Sequence, residues 1–394
     1  MSATFPELAR ARRDTRALPE RIHFNNAGAS LMPAVVADAL HSYLNDEEQY
    51  GGYETAGLRA VELDNFYQSF AKLLSCRTDE IAYIENATRA WDMIFYSIPL
   101  KPGDRILTSV AEYGSNVIAY LQRARQSGAE LVIVPDDDYG QLDTRALESL
   151  IDDKTRLISV SHIPTGGGLV NPVKEIGRIA NAAGVPYLLD ACQSMGQLPV
   201  DVKEIGCDFA SGTGRKYLRG PRGTGVLYVS AAMSEQMEPV MLDQHAADLI
   251  TPDEYRVIDG ARRFENWEQF FAGKAALGVA VDYALSWGIE NIAARNTLLA
   301  DQLRSKLSAI AGVTVTDEGA TRCAIVTFCA LQKSATELRK LFAAESVNVS
   351  VSSGSGTLRS YQQRGLDEVV RASVHYYNTD EEIDLFIDKL QHFL

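Results

Sequence analysis

From about residue 81 onward, short runs of apolar and β-branched residues alternate with longer stretches in which apolar residues recur at helical spacing. The runs 81–84, 105–108, 131–134, 157–161, 187–189, 209–210 and 226–229 read as strands, and several are apolar at successive positions, as strands buried on both faces are. Between them, 90–97, 116–126, 144–151 and 173–183 read as helices. The last is entered through Asn171-Pro172 and stopped at Gly184, so its start and stop signals agree. This alternation predicts an α/β fold, a mostly parallel sheet covered by helices. Past about residue 270 the texture changes to two long helical stretches, 273–286 and 289–311. A βαβ-like tail follows, with 324–328, 335–343, 347–351 and 370–374, and a closing helix over 380–393. We expect a large domain over 20–270 and a smaller α+β domain over 271–394 that includes residues 1–19. No internal repeat and no linker rich in Pro, Gly or Ser separates them, so they should share a cleft at the carboxyl ends of the strands.

Composition narrows the class of partner. With 394 residues, 46% hydrophobic and 23% charged, the chain has the make-up of a folded globular protein and not of a disordered one. A net charge of −14 and the lack of any Lys/Arg block set nucleic acid and anionic membrane aside as partners. No apolar run is long enough to span a bilayer, and the first 16 residues mix arginines with acids where a signal peptide would be apolar, so the expected location is the cytoplasm. Cys76, Cys192, Cys207, Cys323 and Cys329 are odd in number and widely spaced in a chain too large to need staples, so reduced thiols are expected. There is no HExxH, no CxxC and no close Cys/His cluster, and no metal site is expected.

The segment SGTGRKYLRGPRGTG (211–225) is a Gly-rich turn after a strand, with one lysine in its middle. Such a turn lets backbone N–H groups approach an anion, which makes phosphate the first suspect. It is not a P-loop, because Arg215 stands where the glycine before the lysine should be. Nor is it a dinucleotide fingerprint, since Arg-Lys-Tyr follows Gly212-Thr-Gly214 with no third glycine in place. Lys216 instead resembles a Schiff-base lysine. In VPYLLDACQS (185–194) a strand ends on Asp190, a place that suits either a cap for the next turn or a partner for a cationic ring nitrogen in the cleft. The spacing from Asp190 to Lys216 favours the second role, for it is the arrangement of pyridoxal 5′-phosphate (PLP) enzymes.

Together with HFNNAG (23–28) and RASVHYYNT (371–379), these motifs resemble the class V aminotransferase-fold enzymes over nearly the whole chain. That group includes cysteine desulfurases, selenocysteine lyases and isopenicillin N epimerase-like proteins. The resemblance implies a type I PLP-dependent transferase fold with PLP as cofactor. ENATRA (85–90) is similar to the family's phosphate-binding turn, which assigns Ala87 and Thr88 to the phosphate, with Thr213 and Arg215 as further cofactor contacts. EYGSN (112–116) resembles the family's Glu-His-x-Ser-Asn, with Tyr113 in place of the ring-stacking histidine and its hydroxyl able to donate a proton. In SHIPTGGGLVNP (161–172), Thr165 falls where the family often has Asn, leaving the cofactor's phenolic oxygen to Gln193 and Thr165. His162 there suits a structural or a functional role equally. Arg371 takes the place of the arginine that holds the substrate carboxylate, and Asn26 is expected beside the substrate. RRFENWE (262–268) resembles the segment that reaches the partner subunit's phosphate, so Asn266 and Trp267 are expected at a neighbouring site in a homodimer with shared active sites. The resemblance makes Lys216, Asp190 and Tyr113 the catalytic residues.

One departure from the family pattern bears on the reaction. Cysteine desulfurases carry a nucleophilic cysteine on a C-terminal loop, often in a Ser-Ser-Gly-Ser-x-Cys context; here SSGSGT (352–357) puts Thr357 in its place, and no cysteine follows Cys329. Persulfide formation needs a thiolate, which threonine cannot supply. The expected function is therefore a PLP-dependent lyase that cleaves the C–S bond of a cysteine-derived amino acid, or of a cysteine S-oxide conjugate, by β-elimination. The alternatives are a class V aminotransferase or epimerase, and behind them a cysteine desulfurase. A scaffold subunit without turnover is opposed by the intact set of Lys216, Asp190, Gln193, Arg215 and Arg371.

Overall fold

The computed structural model describes residues 7–18 and 20–394. The alternating pattern becomes one sheet of seven strands: β1 (Ile81–Ile84), β2 (Arg105–Thr108), β3 (Glu130–Ile133), β4 (Thr155–Ser161), β5 (Tyr187–Asp190), β6 (Phe209–Thr213) and β7 (Gly225–Val229). Their order across the sheet is β1-β7-β6-β5-β4-β2-β3. β7 runs antiparallel to both of its neighbours, and the remaining pairs are parallel. Every residue of β1, β5, β6 and β7 is buried, and β1 and β7 carry no charged residue and no alternation of apolar with polar positions, as strands covered on both faces do. Register places Asp190 opposite Ser161 on one side and Ser211 on the other, so three strand ends carry polar groups side by side.

Helices cover the sheet: α1 (Ala34–Tyr50), α2 (Ala60–Leu74), α3 (Ala87–Ser97), α4 (Gly114–Ser127) and α5 (Phe271–Trp287). α5 packs against α1 and α2, and its Ala276, Leu277, Ala280, Val281 and Ala284 join the core of the large sheet. The first two helices lie upstream of the alternating pattern. α1 buries only Val36 and Tyr43, too few to draw an apolar stripe.

A second sheet of four antiparallel strands, Val313–Val315, Ile325–Ala330, Glu368–Ser373 and Ser350–Ser353 in that order, builds a separate core. Helices Ala335–Ala344 and α6 (Asp380–Phe393) lend it Phe342 and Phe386, whose rings stack at 4.5 Å. The stretch expected as one strand over 347–351 is two short ones. Val347–Asn348 pairs in parallel with Ile22–His23, while Ser350–Ser353 pairs with Glu368–Ser373. Residues 22–23 are thereby joined to this second unit. An exposed hairpin, Ala247–Thr251 with Glu254–Val257, has no counterpart in the sequence pattern. Among the described residues no helix is long and apolar enough to cross a membrane.

Candidate active site

A cleft opens at the carboxyl ends of β1, β4, β5 and β6. At its first edge β1 gives way to α3. Asn86 caps that helix by accepting from the Arg89 N–H, which leaves the first-turn N–H groups of Ala87 and Thr88 without helical partners at the cleft wall. Gly225 on β7 is required there, since a Cβ at that position would lie 2.9 Å from the Asn86 backbone. The result is an anion seat of backbone donors and the Thr88 hydroxyl.

β5 delivers Asp190 into the cleft. Its Oδ1 accepts from the Cys192 N–H at 2.9 Å and its Oδ2 from Asn116 Nδ2 at 3.1 Å. Burial pushes its pKa up, while those two donors and the charge of Lys216 hold it down. After β6, the turn that bears Lys216 is pressed against the protein: a Cβ at Gly214 would meet Thr224 Oγ1 at 2.3 Å and Leu277 at 2.8 Å. Lys216 Nζ donates to Cys192 Sγ at 3.2 Å. Arg215 donates to the Gly28 carbonyl and also lines the cleft, as do Thr213 and Tyr113. Three residues beyond Lys216, the buried Arg219 adopts a left-handed φ of 60°. It donates to Leu31 O, Tyr376 Oη and Thr15 Oγ1 and lies 4.4 Å from the Tyr377 ring, which ties the lysine turn to both ends of the chain.

Thr165 links the cofactor side of the cleft to the second unit. Its hydroxyl accepts from Gln193 Nε2 at 3.2 Å and from Arg371 Nη1 at 2.7 Å. Arg371 also donates to Thr165 O and, through Nε, to Ser350 Oγ, both at 3.0 Å. It forms no ion pair with a carboxylate among the described residues, and a half-buried guanidinium so placed suits an incoming carboxylate. Gln193 Oε1 is buried without a partner, an acceptor left for a bound group.

Some expected residues lie elsewhere. Asn26 is fully buried outside the cleft, its amide donating to His23 O and Ser373 O and accepting from the Tyr377 hydroxyl. It fastens residues 22–28 to the second sheet. Asn266 lines a neighbouring groove with Ile84, Glu85 and Arg89. His162 is buried with Nδ1 unpartnered, and burial lowers its pKa to about 4, which keeps the ring neutral. Thr357 packs on Gly166 beside Tyr361, in a small cavity separate from the cleft. Five residues of the cleft, Asn86, Asn116, Ser161, Ile163 and Cys192, were quoted within motifs but given no site role there. For Asn116 and Ser161, contact with Asp190 and with Glu112 reveals what they do.

An anion seat, a primary amine, a buried carboxylate and an orphaned acceptor on one cleft fit PLP. The family model for class V aminotransferases matches residues 22–386. The chain belongs to that family. It is 31% identical over 387 residues to a probable cysteine desulfurase of Methanothermobacter thermautotrophicus, covering 96% of each chain. A probable cysteine desulfurase of Synechocystis sp. is 32% identical over 381 residues, with 94% of this chain and 90% of that one covered. The fold superposes on the apo cysteine desulfurase of Thermococcus onnurineus with a TM-score of 0.92, at 24% identity and with 100% and 98% of the two chains covered. The cystine C–S lyase C-DES, solved with its product cysteine persulfide, shares the fold at a TM-score of 0.86 and 20% identity, covering 96% of this chain and 99% of its own. The class V enzyme described here is thus PLP-dependent, and the two relatives named above are probable cysteine desulfurases.

Proposed function

We propose that the protein is a PLP-dependent lyase that cleaves the C–S bond of cysteine or of an S-substituted cysteine by β-elimination, releasing the sulfur fragment without first holding it on a loop thiol. The observation that carries this reading is Thr357, which the resemblance of its loop assigns to the desulfurase cysteine's place and which packs on Gly166 outside the cleft. The names of the relatives support cysteine as the parent of the substrate.

When bound, the cofactor supplies an electron sink for the substrate's α-carbon. The chain's own groups do the rest. Ala87, Thr88 and Arg215 hold the phosphate, and Asp190 keeps the ring nitrogen protonated. Arg371, steadied by Thr165 and Ser350, clamps the substrate carboxylate. Lys216 Nζ takes the proton from the α-carbon, and the Tyr113 hydroxyl gives one to the departing sulfur.

A second reading is a desulfurase whose acceptor is Cys192, favoured by the 3.2 Å contact between its sulfur and Lys216 Nζ. Against it, burial pushes the Cys192 thiol up despite the opposing charge of Lys216, so the thiolate is scarce at neutral pH. Native alkylation and Cys192→Ser separate the two. We expect pyruvate, ammonia and the sulfur fragment to appear at little-changed rates, with no sulfur bound to the protein. Activity that tracks Cys192, or a protein persulfide, would establish the desulfurase; amino transfer to a keto acid would establish an aminotransferase.

The same reading includes a homodimer in which Asn266 and Trp267 serve the neighbouring site. Trp267 is 53% exposed, and Phe270, Tyr50, Tyr53 and Leu58 are further large exposed side chains. Sedimentation at assay concentration should give a dimer that Trp267→Ala weakens, and an active monomer would refute the shared site.

A further inference from the structure

Asp190 has a second carboxylate behind it. Glu112 precedes α4 and is 2% exposed, with no cation in contact among the described residues. Its Oε1 accepts from the Tyr113 N–H at 2.7 Å, from Asn116 Nδ2 at 3.0 Å and from Ser161 Oγ at 2.5 Å. Its Oε2 accepts from the Ser161 N–H at 2.9 Å and from Thr108 Oγ1 at 3.2 Å. The same Asn116 amide donates to Asp190 Oδ2 at 3.1 Å. One NH₂ group is therefore held between two buried carboxylates.

Two acids joined by a neutral amide cost a fold free energy, because each ionised carboxylate is desolvated and the two repel. Packing alone does not call for such a pair. It becomes favourable when a cation arrives at Asp190, and in this family the cation is the protonated ring nitrogen. We propose that Glu112 is a positioning residue: through Asn116 it orients the Asp190 carboxylate and stands behind it as a second carboxylate that strengthens the pairing with the cofactor.

Burial, with the negative charge of Asp190 acting in the same direction, raises the Glu112 pKa to about 7 against the pull of its donors. The titratable groups facing it are Asp190 and Tyr187 from β5 and Tyr120 from α4, and both tyrosines stay neutral because burial raises them well above their ordinary value. The charge of Lys216 acts on Asp190. Without a cation at Asp190, Glu112 thus loses its proton as pH rises through neutrality; the ring cation favours the ionised form, so in the loaded protein the loss, and with it the tightening at Asp190, comes at lower pH. The inference holds whichever cysteine derivative the lyase takes, because it concerns the cofactor alone.

The test reads the PLP-loaded protein without substrate. The visible cofactor spectrum of the wild type should show a Glu112-dependent step at a pH below the value of about 7 that burial sets without a cation at Asp190, and Glu112→Gln should remove it. Cofactor release should quicken roughly tenfold, the equivalent of about one pKa unit, in Glu112→Gln and in Asn116→Ala alike. The double variant should be no worse than either single one, because the two residues act as a unit. A merely structural role would lower the melting temperature of the apoprotein but leave the spectral step in place. If Glu112→Gln does not fold, Asn116→Ala decides alone through its release rate. A persisting spectral step in Glu112→Gln, additive effects, or unchanged release from Asn116→Ala would overturn the proposal.

Discussion

Lys216→Ala is expected to lower turnover by on the order of 10⁴-fold, the upper range for loss of a positioned general base, and to remove the visible band of the lysine-linked cofactor. Nothing else described in the cleft supplies a primary amine: Arg215 donates to the Gly28 carbonyl and Arg371 to Thr165 and Ser350, and a guanidinium stays protonated. Among the described residues the side chain hydrogen-bonds to Cys192 Sγ alone, so the fold should tolerate its loss. The turn itself is held by backbone close approaches at Gly214 and by the Arg219 clasp, neither of which involves the lysine side chain. The variant should therefore fold, keep PLP by non-covalent contacts and melt near the wild-type temperature. Borohydride reduction followed by peptide mass spectrometry makes the measurement direct. Cofactor mass on the Lys216 peptide of the wild type and none on the variant is the expected result; a covalent linkage that survives the substitution would remove Lys216 from its role.

Asp190→Asn should still bind PLP but lose activity by on the order of 10³-fold, the scale of losing one preorganised electrostatic contact of about 4 kcal/mol. Two effects combine. The amide carries no charge to keep the ring nitrogen protonated, so the electron sink weakens. It also fits its surroundings poorly, since both carboxylate oxygens accept from fixed donors, the Cys192 N–H and the Asn116 amide. An NH₂ group facing either donor leaves a buried hydrogen bond unmade, at a cost of about 1–3 kcal/mol. Steady-state kinetics alongside the cofactor spectrum separates the effects, because the first lowers kcat and the second loosens cofactor and lowers the melting temperature. Near-normal kcat would leave Asp190 as no more than a cap for the turn after β5.

How far the site could be read in advance depended on how local each feature is. β1 and β2 fall on the expected bounds, and α3 begins three residues earlier than its apolar pattern because Asn86 caps it and Ala87 to Arg89 carry no apolar signal. Lys216, Asp190, Gln193, Thr88 and Tyr113, whose roles the family resemblance implied, all line the cleft, and their placement is local for a similar reason. Each sits in a short segment whose glycines, caps or strand end already dictate the backbone. Asn26 lay in a motif just as short, yet its partners are Ser373 and Tyr377, far along the chain, and they occupy its amide in structural bonds.

What the chain alone determines, then, is the order of the strands along it, the turn that carries the lysine, and the absence of a thiol at position 357. These follow from periodicity, from turn chemistry and from residue identity, none of which requires a distant partner. Tertiary structure decides the rest. The alignment of β4, β5 and β6 sets Ser161, Asp190 and Ser211 in a row, and packing of α4 on that row places the Asn116 amide between Glu112 and Asp190. The second unit brings Arg371 to Thr165 and turns Thr357 onto Gly166. Contacts of this kind join residues separated by tens to hundreds of positions, and their energies depend on desolvation in a shared interior, which no segment possesses until the sheets have closed over it.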